Sequence, residues 1–403
     1  MSIAFSPEQQ SALAKATVWF MEQGRPGANQ VFRLFGYAGT GKTTIAQELA
    51  AQIAGSKRVL FAAFTGKAAY VMNQRGCPGA TTIHRLIYKP SGRSHEALVE
   101  LQTKLEALCA MDPQPIERIE QIKKLIHDEE ESVSRPAFLL NVESDVHHCS
   151  LVVIDECSMV DAKMGHDLLS FGKPILVLGD PAQLPPVRGE GFFTASTPDI
   201  TLTQIHRQAS GNPIISLATQ VRLGNTLPPG DYGSSHIGKR SDFSKASLDG
   251  IDQVIVGRNA TRKRFNADYR RWMLGVTDPM PVPGDKLVCL RNNHELGLLN
   301  GGQWTVEDVS LAGCFLHLRI LDGDIVQVVT AHAAIFNGQE IPYYEKRDAE
   351  EFDFGYALTC HKSQGSQWDN VLILDESESF QDKAQQWLYT AITRASKRVT
   401  ILK

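Results

Sequence analysis

Apolar positions along the chain fall into short unbroken runs that end in polar or glycine-rich turns, with stretches of helical spacing between them. The run Val31-Phe32-Arg33-Leu34-Phe35 leads into GYAGTGKT, residues 36–43, and then into the helix-prone segment 44–50. That order predicts strand, loop and helix. Two further runs, Leu151-Val152-Val153-Ile154 and Ile175-Leu176-Val177-Leu178, predict buried strands. The first ends in Asp155-Glu156 and the second in GDPAQLPPV, residues 179–187. Continuous apolar strands of this kind belong to parallel sheets covered on both faces.

The pattern then changes twice. Leu98, Leu101, Leu105 and Leu108, followed by Ile116, Ile119, Ile122 and Ile126, mark two amphipathic helices broken at Asp112-Pro113-Gln114-Pro115. On either side, 86–89 and 138–141 predict short strands that pair as the stem of an arm. After residue 208 a second α/β pattern begins, with a strand at 253–256 and a helix at 261–273. That helix carries Arg262, Lys263, Arg264, Arg270 and Arg271, which suit either a solvated face or contact with phosphates. Between 284 and 336 the spacing becomes that of strands, at 286–290, 303–309, 315–321 and 325–329. With Asp322-Gly323 as a hairpin turn, this predicts a small β-barrel.

Length and charge narrow the class. Single cores seldom grow beyond about 250–300 residues, so 403 residues imply two or three domains. The net charge of −4 restricts any nucleic-acid contact to a local basic groove. No apolar stretch is long enough to span a bilayer, and Glu8, Gln9, Gln10 and Lys15 interrupt any signal-peptide layout, so a cytoplasmic protein with no membrane partner is expected. The seven cysteines form no CxxC pair, which points away from a zinc site or a disulfide framework.

The chemistry begins at GYAGTGKT, which stands in the strand, loop and helix context a phosphate-binding loop requires. Gly36, Gly39 and Gly41 let the backbone wrap phosphate oxygens, with Tyr37, Ala38 and Thr40 between them. The helix that follows, entered through Thr44, turns its free N–H groups toward the anion. Lys42 is expected to reach the β- and γ-phosphates of ATP, and Thr43 to hold Mg²⁺ through its hydroxyl. Asp155 and Glu156 leave a strand at the end where parallel sheets bind ligands. Asp155 would orient Mg²⁺, and Glu156 would polarise the attacking water. Gln183 offers an amide to that water or to a γ-phosphate oxygen, in a loop stiffened by Pro181, Pro185 and Pro186.

These three segments, with Gln9 in FSPEQQ (5–10), LTQIHRQ (202–208), ALTCHKSQGSQWD (357–369) and YTAITRA (389–395), resemble superfamily 1 DNA helicases of the RecD and Dda type. The likeness runs in the family's order over nearly the whole chain and is greatest to compact, stand-alone, phage-type Dda-like enzymes, so that no added N-terminal domain is expected. It implies an α/β fold with two RecA-like P-loop domains built on parallel sheets. The first comprises 1–85 and 142–203, the second 204–284 and 354–403. A helical and β-hairpin arm, 86–141, is inserted in the first, and an SH3-like β-barrel, 285–353, in the second. The arm is either the pin that splits duplex DNA or a packing elaboration.

The resemblance also assigns roles. Gln9 would read adenine, and Arg207 and Arg394 would reach from the second domain to ATP held by the first. Gln367 stands where many relatives have Glu, a departure at the ribose contact. Thr65 and Lys67 of FTGKAA and His84 of TTIHRLIY would contact DNA from one domain, and Thr359, His361 and Lys362 from the other. Hydroxyl, imidazole and ammonium groups suit phosphate and sugar contacts that fix position without reading sequence. The implied activity is ATP-dependent 5′ to 3′ translocation on single-stranded DNA and unwinding at single-strand/duplex junctions. A monomeric bacterial or phage-encoded enzyme working beside replication or recombination proteins fits this. An RNA helicase of the same superfamily, or a nucleotide-dependent DNA clamp that does not move, are the alternatives.

Overall fold

The computed structural model describes residues 5–53, 58–90, 96–111, 115–134, 138–186, 189–204, 211–293, 295–339, 341 and 349–403. Its first sheet is six-stranded and parallel, in the order Thr81–Thr82, Val59–Ala63, Leu151–Asp155, Ile175–Gly179, Val31–Gly36, Ile200–Leu202. Strand periodicity sends alternate residues to opposite faces. Phe32, Leu34, Leu151, Val153, Leu176 and Leu178 pack on one side, and Val31, Phe35, Val152, Ile154, Ile175 and Val177 on the other. Both sets are buried, which explains why these strands read as apolar runs, broken only by the half-buried Arg33. The four longer, central strands therefore point their C-terminal ends, at Gly36, Ala63, Asp155 and Gly179, toward one edge.

The second sheet has the order Ala357–Thr359, Gln253–Val256, Trp368–Leu374, Ala395–Leu402, Ser235–Gly238, Gly230–Tyr232. It is parallel except for its last pair. Ile255, Val371 and Ile373 face one core, and Val254, Val256 and Leu372 the other. This doubling of a parallel sheet with two covered faces gives the RecA-like plan of two α/β halves. Among the described residues no helix is long and apolar enough to cross a membrane.

A third, antiparallel sheet runs Ile325–His332, Phe315–Asp322, Gln303–Ala312, Lys286–Cys289, Phe352–Phe354. Ala331 also bridges to Glu350, which brings the two ends of the sheet near each other. The last strand reaches Phe354, paired with Leu287, so the sheet and the second half share that residue.

The stem of the arm differs from its sequence reading. Residues 86 and 87 are helical, within Ile83–Ile87, and the strand begins at Tyr88. Thr82 caps that turn by accepting from Arg85 N–H at 3.2 Å, while Ile83, Leu86 and Ile87 bury a face spaced for a helix. Tyr88–Pro90 then pairs antiparallel with Phe138–Leu140. The helices Glu96–Cys109 and Ile116–Ser134 pack against each other beyond the stem.

The basic helix Asn259–Tyr269 and its π-helical continuation Arg270–Leu274 are not a uniformly solvated face. Arg262 and Arg270 are buried. Arg262 pairs with Asp353 at 2.6 Å and Arg270 with Asp285 at 2.9 Å, fastening the helix to the antiparallel sheet. Asp285 also accepts from Tyr356 Oη at 2.7 Å and Val282 N–H at 2.8 Å. Breaking a buried pair by removing one partner strands the other charge, at a cost of about 3–5 kcal/mol. Arg270→Met should therefore unfold at clearly lower urea, and an unchanged transition would show that the pair contributes nothing.

Candidate active site

The phosphate loop is shaped by three local constraints. Gly39 and Gly41 have φ of 79° and 82°, the left-handed region that side chains resist. At Gly36 a Cβ would lie 2.6 Å from Thr40 Oγ1 and 2.9 Å from Leu202 Cβ, so the loop closes only over a glycine. Lys42 opens the helix Lys42–Ile53, and its ammonium donates to Gly36 O at 2.6 Å and Tyr37 O at 3.2 Å. Gln9 is buried with both amide atoms engaged. Its Nε2 donates to Thr40 O at 3.0 Å, and its Oε1 accepts from Ser6 N–H at 2.9 Å. In this state Gln9 braces the loop.

Beside the loop, Thr43 Oγ1 lies 3.3 Å from Asp155 Oδ2. Burial and the adjacent Glu156 charge push Asp155 up to about 6, opposed by a bond from Glu156 N–H, by Lys42 and by Thr43. Glu156 has φ 52° and ψ 44°, one of two non-glycine residues with positive φ among those described. Holding such a residue left-handed costs of order 1–3 kcal/mol, a strain that tends to mark functional positions. The hydroxyl–carboxylate pair presents hard oxygen donors of the kind Mg²⁺ selects. Gln183, from the loop after Ile175–Gly179, is buried, and its Oε1 has no partner among the described residues. An orphaned acceptor of this kind fits a ligand with donors, such as a water.

The second half closes the other side. Arg394 is buried and donates to Thr390 O at 3.1 Å, Ser366 O at 3.3 Å and Thr393 Oγ1 at 3.2 Å. Gln367 donates to Ala395 O at 3.5 Å. Lys42, Thr43, Asp155, Glu156, Gln183, Gln367 and Arg394 all line one cleft of about 1160 Å³, a volume ample for a nucleotide. Arg207 lies outside the described residues.

Two residues of the second half, Tyr389 and Arg222, make contacts to the first half that the sequence did not indicate. Tyr389 Oη accepts from Ala38 N–H at 3.0 Å and donates to Asp180 Oδ2 at 2.7 Å, tying the phosphate loop to the Gln183 loop through a second-half side chain. Burial raises the carboxyl of Asp180, and burial together with the Asp180 charge raises the Tyr389 hydroxyl. Arg222 also lies 3.7 Å over the ring of Tyr37. Asp180 and Tyr389 sit inside motifs already recognised, GDPAQ and YTAITRA, but nothing in spacing shows that they touch.

The expected DNA residues occupy matching places in the two halves. Thr65, just after the strand Val59–Ala63, and Thr359, the last residue of the strand Ala357–Thr359, each cap a helix, accepting from Ala68 N–H at 3.1 Å and Lys362 N–H at 3.4 Å. A hydroxyl that accepts in this way retains its own hydrogen for donation. His84 is exposed between the rings of Phe64 and Tyr88, at 6.2 and 5.6 Å. His361 stands 5.9 Å from Phe380, and burial, aided by Lys383, lowers it toward the neutral imidazole. Lys362 is exposed at the surface. Of these six residues only Lys67 lines the nucleotide cleft, which sets it apart from the others.

A family model described as an AAA domain matches residues 9–230, and one described as a UvrD-like helicase C-terminal domain matches 354–402. The chain is 27% identical over 392 residues to an ATP-dependent RecD2 DNA helicase of Deinococcus radiodurans, covering 91% of this chain and 46% of that one. It is 26% identical over 433 residues to the RecBCD enzyme subunit RecD of Mycolicibacterium smegmatis, covering 92% and 67%. The chain thus spans about half the length of the RecD2 relative. Its fold is similar to that of Candida albicans Pif1 helicase, with a TM-score of 0.53 at 16% identity, covering 100% of this chain and 95% of that one. A structure of two coordinating Pif1 helicases at forked duplex DNA gives 0.53 at 18%, covering 99% and 92%.

Proposed function

Because the chain belongs to the AAA-domain family and is a superfamily 1 helicase of the RecD/Pif1 type, we propose that it is an ATP-driven motor that moves 5′ to 3′ on single-stranded DNA and unwinds duplex at junctions. The observation that carries this reading is the single cleft in which the phosphate loop, paired carboxylates and Gln183 of one sheet face Arg394 of another. A site split between two bodies couples hydrolysis to their relative movement, which a site within one body would not do.

In this reading the N–H groups of the phosphate loop and Lys42 hold the triphosphate of ATP. Gln9 and Gln367 contact its base and ribose sides. Thr43 and Asp155 would hold Mg²⁺, which when bound neutralises phosphate charge. Glu156 takes the proton of the attacking water, and Gln183 orients that water. Arg394, with Arg207, meets the charge that spreads over the equatorial oxygens. Thr65 and His84 grip the strand in one half, and Thr359, His361 and Lys362 in the other. Closing and opening the cleft changes the spacing of the two grips. The sheet at 285–353 serves as an SH3-like guide, and the arm at 86–141 as the separating wedge.

A strand-displacement assay with defined tails tests it. Duplex carrying a 5′ single-stranded tail should separate in the presence of ATP and Mg²⁺, while blunt duplex and duplex with only a 3′ tail stay largely intact. Efficient opening from the 3′ tail alone would reverse the polarity. Stimulation of hydrolysis by RNA but not by matched DNA would move the substrate class.

A further inference from the structure

The loop that carries Gln183 leaves the first sheet but is buried in the second half. Leu184 is fully buried among Ile214, Leu217, Trp387 and Ile392, in the core of the second sheet. Its backbone is held from the same side. Leu184 N–H donates to Thr390 Oγ1 at 2.8 Å, and Leu184 O accepts from Gln364 Nε2 at 2.9 Å. Both side chains are buried and come from separate segments, Thr390 from the helix Ala384–Ile392 and Gln364 from the turn after Cys360–Ser363. The Leu184 N–H shares its rigid peptide plane with the carbonyl of Gln183. Thr390 therefore fixes the backbone of the residue whose amide lines the cleft. On the other side Pro185 has a restricted φ, so little freedom remains in the loop.

We propose that Gln364 and Thr390 are positioning residues that set the Gln183 amide in the nucleotide cleft, so that the second half decides when the first half's water-orienting group is in place. This rests on the reading of the cleft as an ATP site. The two ties hold the N–H and C=O of one residue, and with either released the loop can turn about the other. Their losses should consequently overlap and not add. A contact serving only cohesion between the halves would not act through Gln183.

That difference can be measured. Thr390→Val removes the acceptor with little change of shape, Thr390→Ser keeps it, and Gln364→Met removes the donor. DNA-stimulated ATP hydrolysis by the full chain is compared in the Gln183 and Gln183→Ala backgrounds, with the thermal midpoint followed alongside. Thr390→Val and Gln364→Met should each lower kcat about tenfold, as expected for one misplaced hydrogen-bonding group. KM for ATP should stay within about twofold, and Thr390→Ser should recover most of the rate. In the Gln183→Ala background neither substitution should lower kcat further. Equal losses in both backgrounds, a loss confined to KM, or failure of Thr390→Ser to rescue would overturn the proposal. If Thr390→Val does not fold, Gln364→Met carries the same comparison. Absence of hydrolysis by the unsubstituted chain would overturn the ATP-site reading itself, whereas normal hydrolysis with equal losses in both backgrounds would overturn the positioning role alone.

Discussion

Lys42→Ala should hydrolyse ATP roughly 10²- to 10³-fold more slowly than the unsubstituted chain, the loss typical of removing one preorganised donor from a site of developing charge. In the present state the Lys42 ammonium rests on Gly36 O and Tyr37 O, carbonyls of its own loop, and lines an open cleft. Water can take its place on those carbonyls, so the thermal midpoint should change little while turnover collapses. Glu156→Gln separates binding from chemistry at the same site. It keeps size and hydrogen bonding but not basicity, so ATP binding should persist while turnover falls about 10²- to 10⁴-fold, the range for a general base. Near-normal steady-state hydrolysis by either purified variant would remove the assignment.

The parts of this site that could be read in the sequence are those confined to one contiguous segment. GYAGTGKT, DE and the GDPAQ loop each follow an apolar strand, and a parallel sheet necessarily delivers such strand ends to one edge. Contacts between segments were not legible. Tyr389 bonding to Ala38 and Asp180, and Thr390 to Leu184, depend on how two separately folded sheets meet, which no local pattern encodes. The same limit explains the basic helix. Five cations on one segment suggest a solvated face until Asp353 and Asp285, distant in sequence, neutralise Arg262 and Arg270 in the interior. At 86–87 the error was of another kind. A short apolar run suits strand or helix, and the cap at Thr82 decided for the helix.

Arg394→Ala should lower kcat by at least about 10³-fold with a far smaller change in KM, because an arginine inserted against a transferring phosphoryl group acts on charge that appears only in the transition state. The geometry adds a sharper expectation for Arg394→Lys. Arg394 spreads its guanidinium over Thr390 O, Ser366 O and Thr393 Oγ1 at once, bonds that draw on three different nitrogens. A lysine keeps the charge but cannot reproduce that planar fork. It would stand free of the turn that aims the arginine, so the conservative substitution should recover little of the lost rate. Recovery by Arg394→Lys to near the original kcat would mean that charge alone suffices and that the three bonds are incidental. A loss appearing only in KM would make Arg394 a ground-state binding residue, and the second half would then contribute nothing to the hydrolytic step through it.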